Sequence, residues 1–577
     1  MRKTGAWLVR YALEQIGVRY TFGIPGVHNT EIYDELNRST TIQPVLVTHE
    51  GGAAFMADAV SRTTRHIGTL LIVPAAGVTH AASGIGEAFL DGVPMLVICG
   101  GIRNDLDKQY QLHDVDQHAL LAPITKKTYK IENHQDIIPT IYEAFELAVS
   151  GEPGPVFVEV PVNIQLFPGE TATPIPFAHL VEPATPDLEA VKKAAQMLYA
   201  ADRPGLFIGW GAVDAVETSV QVAEYLCAPV ATTLQGLSAF PGNHPLHTGM
   251  SFGEAAVPAA TNAFRDCDCL LAVATRFSEI GTASFGVEPP KKLVHVDINP
   301  DVFNANYPAA ITIEGDADTV LRAVLQELQA LGVAKDDGGA RAAAIRADKT
   351  AYLQEWLDHD SHGRVNPGHF FKALREQLDD DAIVVVDDGN HTFLAAELMP
   401  IHKARGFISP TDFNCMGYAT PAATAAKLAN PRNQVVGIIG DGAFLMTGLE
   451  TLTASSLGTG VVYFVFNDGE LSQISQAQQI PYNRKTCSVL KEINLAGVAQ
   501  ATDCEFISIN GNSDCNPGIQ QGLTLAAQGK PVIVDVKIDY SKRTRFTKGI
   551  VKTNLGRFTP GNKFRFISRA LLRKITG

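Results

Sequence analysis

Three doubly wound α/β domains followed by a basic C-terminal tail are what the sequence predicts, and three observations predict them. Short β-branched runs at residues 69–73, 95–99 and 156–160 alternate with longer helical stretches, the rhythm of a parallel sheet covered on both faces. The rhythm restarts twice, each time after a polar or proline-rich connection. At 577 residues the chain is also far longer than the roughly 250–300 residues at which a single hydrophobic core stops growing.

The first unit spans residues 1–175. Residues 173–186 carry four prolines and read as an extended linker. A second unit, 187–335, has candidate strands at 205–209, 229–232, 270–274 and 293–298. Residues 335–349, with Asp336-Asp337-Gly338-Gly339, are polar and helix-prone and suit a second connection. A third unit, 362–540, has strands at 383–387, 435–439, 461–467 and 531–536, and the tail is 541–577. No internal repeat is visible.

With 46% hydrophobic and 19% charged residues, and no apolar run near ~18 residues, the chain reads as a soluble protein that does not span a bilayer. Glu14 interrupts the apolar N-terminus and no cleavage site follows, so a cytoplasmic protein is expected. The eight cysteines form no CxxC pair and are expected to be buried thiols in a reducing compartment. The net charge of −14 includes a tail with eleven Lys and Arg and no acid, which leaves the body more acidic still and excludes nucleic acid as a partner.

The chemistry gathers at two strand ends. An apolar run at 435–439 leads into Gly440-Asp441-Gly442 and then Ala443 and Phe444, a strand-to-helix turn whose N–H groups suit a phosphate. Asp441 would repel a bare phosphate, so a cation belongs between them, by default Mg²⁺. A second strand ends at Asn467-Asp468-Gly469 with 24 residues between Gly442 and Asn467. Neighbouring parallel strands end at one edge, so the two turns converge.

This pairing resembles the signature of thiamine-diphosphate-dependent enzymes. Phe22-Gly23-Ile24-Pro25-Gly26, Thr48-His49-Glu50-Gly51-Gly52, residues 84–94 and 232–249, Asp297-Ile298-Asn299-Pro300 and Met416-Gly417-Tyr418 look like acetolactate synthase segments, in order, over residues 1–540. The resemblance implies thiamine diphosphate and Mg²⁺. It also implies a homodimer or homotetramer in which Glu50 of one subunit reaches the aminopyrimidine of cofactor held by the third domain of another. Read without it, Glu50 is a carboxylate at a helix N-terminus. By the same resemblance Asp441, Asp468 and the Glu470 carbonyl hold the metal, Asp468 standing where most members have Asn; a register shifted by one would make Asn467 the ligand. Gly440, Gly442, Ala443, Phe444, Gly389, Asn390 and His391 are cofactor contacts, with Asn390 as a helix N-cap the alternative. Met416 matches the residue that props the cofactor, and Asn414 stands where many members have Gly.

Pro25, Gly26, Val27, His113, Gln473 and Ile474 are the expected substrate pocket. Pyruvate decarboxylases carry Asp, a His-His pair and Glu where this chain has Val27, a single His113 and Ile474. Fewer proton donors favour transfer of the acyl carbanion from pyruvate or a short 2-oxo acid to a carbonyl acceptor. His113, where acetolactate synthases have Gln, is a candidate proton donor. The alternatives are a 2-oxo acid decarboxylase, a flavin-dependent pyruvate oxidase and a catalytically silent regulatory protein. The central unit resembles one that holds FAD, but Met250-Ser251-Phe252-Gly253-Glu254 departs from the flavin-facing pattern and weighs against it. The tail, with apolar residues from Phe564 to Ile575 at helical spacing between basic ones, reads as a helix packed on the acidic body or over the site, with an anionic membrane surface as the alternative.

Overall fold

A computed structural model describes residues 1–179 and 184–576. Residues 180–183 of the predicted linker, and the tail side chains of Ile567, Lys574 and Ile575, lie outside the described residues.

Three six-stranded parallel sheets are formed by the described residues. In spatial order the first contains Gln43–Leu46, Tyr20–Gly23, Gly68–Ile72, Met95–Gly101, Pro155–Pro161 and Lys127–Lys130. The third contains Phe407–Ile408, Ile383–Val386, Val435–Gly440, Val462–Phe466, Val532–Val536 and Glu505–Ile509. Numbered along each domain, both read 2-1-3-4-6-5, so a repeat hidden in the sequence is plain in the topology. The central sheet, with His247–Met250, Val230–Thr232, Pro204–Ile208, Cys269–Val273, Lys292–Asp297 and Ile311–Glu314, has the dinucleotide-fold order 3-2-1-4-5-6.

The interior strands fall on the apolar runs of the sequence. Those the sequence conceals are mostly edge strands such as Lys127–Lys130 and Ile311–Glu314, whose half-exposed residues carry no continuous apolar run. Arg2–Thr4 pairs antiparallel with Pro168–Glu170, outside the main sheets. The cysteines depart from expectation: Cys99, Cys269 and Cys515 are buried, but Cys487 is exposed and the other four are half-buried. Among the described residues no helix is long and apolar enough to cross a membrane.

The first and third domains share a core. Every residue of helix Glu50–Thr63 is buried, and its Gly51-Gly52-Ala53-Ala54 start has the small side chains that permit close packing. At its far end Arg62, wholly buried, donates to Asp58 at 2.7 Å and Asp91 at 2.8 Å, with Glu87 at 4.0 Å. These carboxylates also reach the third domain. Glu87 accepts from the Thr411 and Cys415 N–H groups, both at 3.1 Å, Asp91 from Asp412 N–H at 3.0 Å, and Asp58 from the Tyr418 hydroxyl at 2.5 Å. Burial, and then its acidic neighbours, push the Glu87 carboxyl well up.

The tail begins as helix Arg545–Gly556 on the junction of the central and third domains. Glu397 accepts from Phe546 N–H at 2.8 Å and Arg545 N–H at 3.2 Å, Phe546 packs on Phe393 at 4.8 Å, and Lys552 pairs with Glu254. A Cβ on Gly549 would stand 2.2 Å from Ala255 Cβ. The segment around Glu254, where the sequence leaves the flavin-facing pattern, is thus where the tail helix packs. A second helix, Pro560–Thr576, lies against helix Ser472–Tyr482, with Arg573 donating to the Pro481 carbonyl at 2.8 Å and standing 5.2 Å from the Tyr482 ring centre.

Two predictions follow from these contacts. Arg62→Met leaves buried carboxylates uncompensated and is expected to cost about 3–5 kcal/mol, read as an early transition in chemical denaturation that the exposed Arg38→Met does not produce. Burial pushes Glu397 up to about 7. A carboxyl raised above its unfolded value of about 4.3 contributes stability at low pH that is lost as pH rises through about 7. Overall stability should therefore fall as pH rises from about 4.3 to about 7, read as a lower midpoint in chemical denaturation, and Glu397→Gln should remove this contribution to the pH dependence.

Candidate functional site

The two turns of the third domain meet as strand geometry requires. Strands Val435–Gly440 and Val462–Phe466 pair in parallel up to Gly440 opposite Phe466. Asp441, buried at the first turn of helix Asp441–Thr447, accepts from its neighbour Gly442 N–H and from Gly469 N–H, both at 2.8 Å. The second bond ties one turn to the other.

Asp468 accepts from the Ser472 hydroxyl, while its Oδ1 is buried and has no hydrogen-bond partner. Burial, with Asp441 and Glu470 nearby, pushes its carboxyl up to about 6. Asn467 faces the adjacent strand instead, donating to Asp535 at 3.0 Å. Burial would raise the Glu470 side chain, but hydrogen bonds from Lys485 and Ser475 outweigh it and hold the carboxyl low.

Beside Gly440 stands the buried His391 ring. A Cβ on Gly440 would lie 2.9 Å from its Cε1, and one on Gly389 2.6 Å, so the ring occupies space that only glycines leave. Gly389 also has φ +150°, which disfavours any other residue. Burial pushes His391 down to about 3, leaving it neutral, and its Nε2 has no partner. Asn390 is the first residue of helix Asn390–Leu398, and Gly389, not Asn390, is its cap.

Asp387 organises the loop opposite. It accepts from Gly417 N–H at 2.8 Å, Ala419 N–H at 2.7 Å and Asp388 N–H at 3.0 Å, which fixes the backbone that follows Met416. Met416 Cε lies 3.6 Å from where a Cβ on Gly442 would be. Asn414 has φ +66°, a left-handed conformation that Gly adopts freely and Asn tolerates, which accounts for Asn in a glycine position. Ala443 and Phe444 are buried, and the Phe444 ring packs in the core under Gly448.

The other half of the sequence-predicted site lies on the first domain. Glu50 opens helix Glu50–Thr63, and its Oε2 is 3.0 Å from His80 Nδ1. Within the chain this turn meets Glu450, which accepts from Thr48 N–H at 3.1 Å, Thr48 hydroxyl at 2.6 Å and His49 N–H at 3.0 Å, rather than the Gly440–Gly442 turn. Asn29 accepts from Gly26 N–H at 2.7 Å and bonds the Ile24 carbonyl, holding the Pro25-Gly26 turn, from which Val27 projects 77% exposed.

His113, single in its stretch of sequence, has a histidine neighbour in space: its ring stands edge-on to His28, centres 5.0 Å apart, and His28 is buried with Nδ1 unpartnered. Gln473 Oε1 is also buried and unpartnered, while Ile474 is exposed on helix Ser472–Tyr482 under the tail. His28, His80, Asp387 and Glu450 are the residues that sequence reasoning missed. Asp387, an acid at a strand end, had a readable signal; the others have their roles only through space.

Three family profiles match the chain: "Thiamine pyrophosphate enzyme, N-terminal TPP binding domain" over residues 3–120, "central domain" over 191–324, and "C-terminal TPP binding domain" over 387–536. The chain is a thiamine pyrophosphate enzyme. It resembles acetolactate synthases most plainly. It is 30% identical to the acetolactate synthase large subunit of Corynebacterium glutamicum, over 92% of this enzyme and 86% of that protein. It is 29% identical to the isozyme 1 large subunit of Escherichia coli K12, over 94% and 95%. To the probable large subunit of Methanocaldococcus jannaschii it is 32% identical over 84% and 83%.

Asp387→Ala frees the Gly417 and Ala419 amides in a buried site, each a loss of about 1.5–3 kcal/mol for a hydrogen bond to a charged group. The expected outcome is at least a tenfold fall in thiamine diphosphate affinity in a fluorescence titration, with far-UV circular dichroism unchanged.

Proposed function

We propose that this enzyme is a thiamine-diphosphate- and Mg²⁺-dependent carboligase that decarboxylates pyruvate or a short 2-oxo acid and passes the acyl carbanion to a carbonyl acceptor. The observation that carries the cofactor reading is the tied pair of turns. The orphaned Oδ1 of Asp468 beside buried Asp441 suits a hard divalent cation. Asp441, Asp468 and the Glu470 carbonyl are the proposed metal ligands; the side chain of Asn467 is engaged with Asp535. When bound, thiamine diphosphate supplies the electron sink for the carbanion left by loss of CO₂. Met416 orients it, neutral His391 walls the phosphate side, and Glu50 exchanges a proton at its pyrimidine.

A homodimer or larger homo-oligomer is part of this reading. In one chain the Glu50 turn faces Glu450, not the metal turns, so a second copy has to complete each site. Leu445, Met446, Leu449 and Leu452 beside the Asp441 helix are exposed and offer the apolar surface for it. The anchored tail supports packing on the body, with the second helix against the one that bears Gln473, over association with a membrane. A cavity of about 440 Å³ at the carboxyl ends of the central sheet's strands, lined by Trp210, Gln235, Arg276 and Asp297, is where a flavin would bind if present; visible absorbance of the purified enzyme decides it.

One observation favours a second reading. The His28–His113 pair supplies proton donors that Val27 and Ile474 do not, and an enzyme that protonates the carbanion releases an aldehyde. Incubation with pyruvate, thiamine diphosphate and Mg²⁺ followed by mass identification is expected to give a ligated product, and free acetaldehyde as the main product would replace the carboligase with a decarboxylase. Glu50→Gln should lower CO₂ release about 100-fold or more. Undiminished release in that variant would remove Glu50 from the mechanism.

A further inference from the structure

We propose that His80 is the proton relay and positioning residue of Glu50, linking its buried carboxylate to solvent and fixing which of its oxygens is free. The inference rests on the reading of Glu50 as the carboxylate that serves the cofactor. The Glu50 side chain is only 10% exposed, whereas that of His80 is 49% exposed. Nδ1 of His80 meets Glu50 Oε2 at 3.0 Å, so one ring touches both the carboxylate and water.

The ring is held for this task. His80 stacks on His49, ring centres 4.6 Å apart and planes inclined by 26°. His49 is itself fixed, its Nδ1 accepting from Gly51 N–H at 3.0 Å as the cap of the Glu50 helix. Oε1, the other carboxylate oxygen, lies on the Gly77 side, 3.7 Å from where a Cβ on that residue would stand, and His80 does not bond it. Two further ionisable groups stand near. Burial, and then the Glu50 charge, push the Tyr33 hydroxyl up, and that hydroxyl donates to the Leu71 carbonyl. Glu450 is pushed up by burial and accepts from Thr48 and His49. His80 alone of these groups bonds the Glu50 carboxylate.

The transfer balances within the chain and water. The carboxylic proton passes from Glu50 Oε2 to His80 Nδ1 as the proton on Nε2 leaves to solvent, giving a carboxylate and a neutral imidazole with its tautomer exchanged. The reverse restores the acid, and no other reactant is needed. A buried acid that must gain and lose a proton in each cycle requires such a route.

The test compares the full-length wild type with H80N, H80A and E50Q. Thiamine diphosphate affinity is read by fluorescence quenching, and exchange of the cofactor C2 proton with D₂O by NMR. Asn retains an N–H donor for Oε2 but cannot carry a proton. H80N and H80A are expected to bind the cofactor like wild type and to exchange about tenfold to a hundredfold more slowly, with added imidazole restoring H80A. Wild-type exchange in H80N overturns the relay. So does a loss in H80A that parallels its affinity and that imidazole does not repair. Wild-type exchange in E50Q defeats the Glu50 reading and the relay with it; a failure of His80 alone shows instead as a slow E50Q beside a fast H80N.

Discussion

The buried guanidinium of Arg62 is the contact on which the rest of the architecture depends. Around it stand Asp58, Asp91 and Glu87, and each of these carboxylates is shared with the segment of the third domain that runs from Thr411 to Tyr418. A buried charge cluster of this kind adds little net stability compared with apolar packing. Its value is in specification, because this arrangement of helix Glu50–Thr63 against that segment engages all three carboxylates, though Oδ1 of Asp58 keeps no partner. The segment carries Asn414 and Met416, so the placement of two expected cofactor contacts is set from another domain.

At the other end of the same segment Asp387 takes over. It receives the N–H groups of Gly417 and Ala419 just after Met416, while Asp388, pushed up by burial to about 6, is bonded by Asn414. With Asp441 and Asp468 added, four acids line the strand ends of the third sheet, Asp387 and Asp441 buried and Asp388 and Asp468 half-buried. Asp387 and Asp441 are satisfied by backbone N–H groups, whereas Asp468 keeps one oxygen unpartnered. The division separates acids that build the site from the one that still has an electrostatic demand to meet.

Much of this was legible in the sequence, for a physical reason. Interior strands are buried on both faces, so their apolar runs stand out, and a strand-end Gly-Asp-Gly followed at the right interval by Asn-Asp-Gly marks one edge of a sheet. Edge strands such as Lys127–Lys130 left no such trace. Neither did the matching strand order of the first and third domains, since hydrogen-bonded topology survives changes in every side chain. His28 and His113 are separated by about half of the first domain, and His80 reaches Glu50 from another helix. Proximity of that kind is created by folding and has no periodicity to read. Asn467 and Asp468 show the limit from the other side: adjacent in sequence, both plausible ligands, they are distinguished only by Asp535 claiming one of them.

The bond from Gly469 N–H to Asp441 has a mechanical meaning. It couples two loops that, held separately, would each have to be captured by an incoming ion. Joined, they form one rigid jaw whose opening is set while the sheet folds, and a cation arriving there has no loop to draw in. Under the proposed metal reading, loss of the ion leaves this jaw, and the surface beside it, in place.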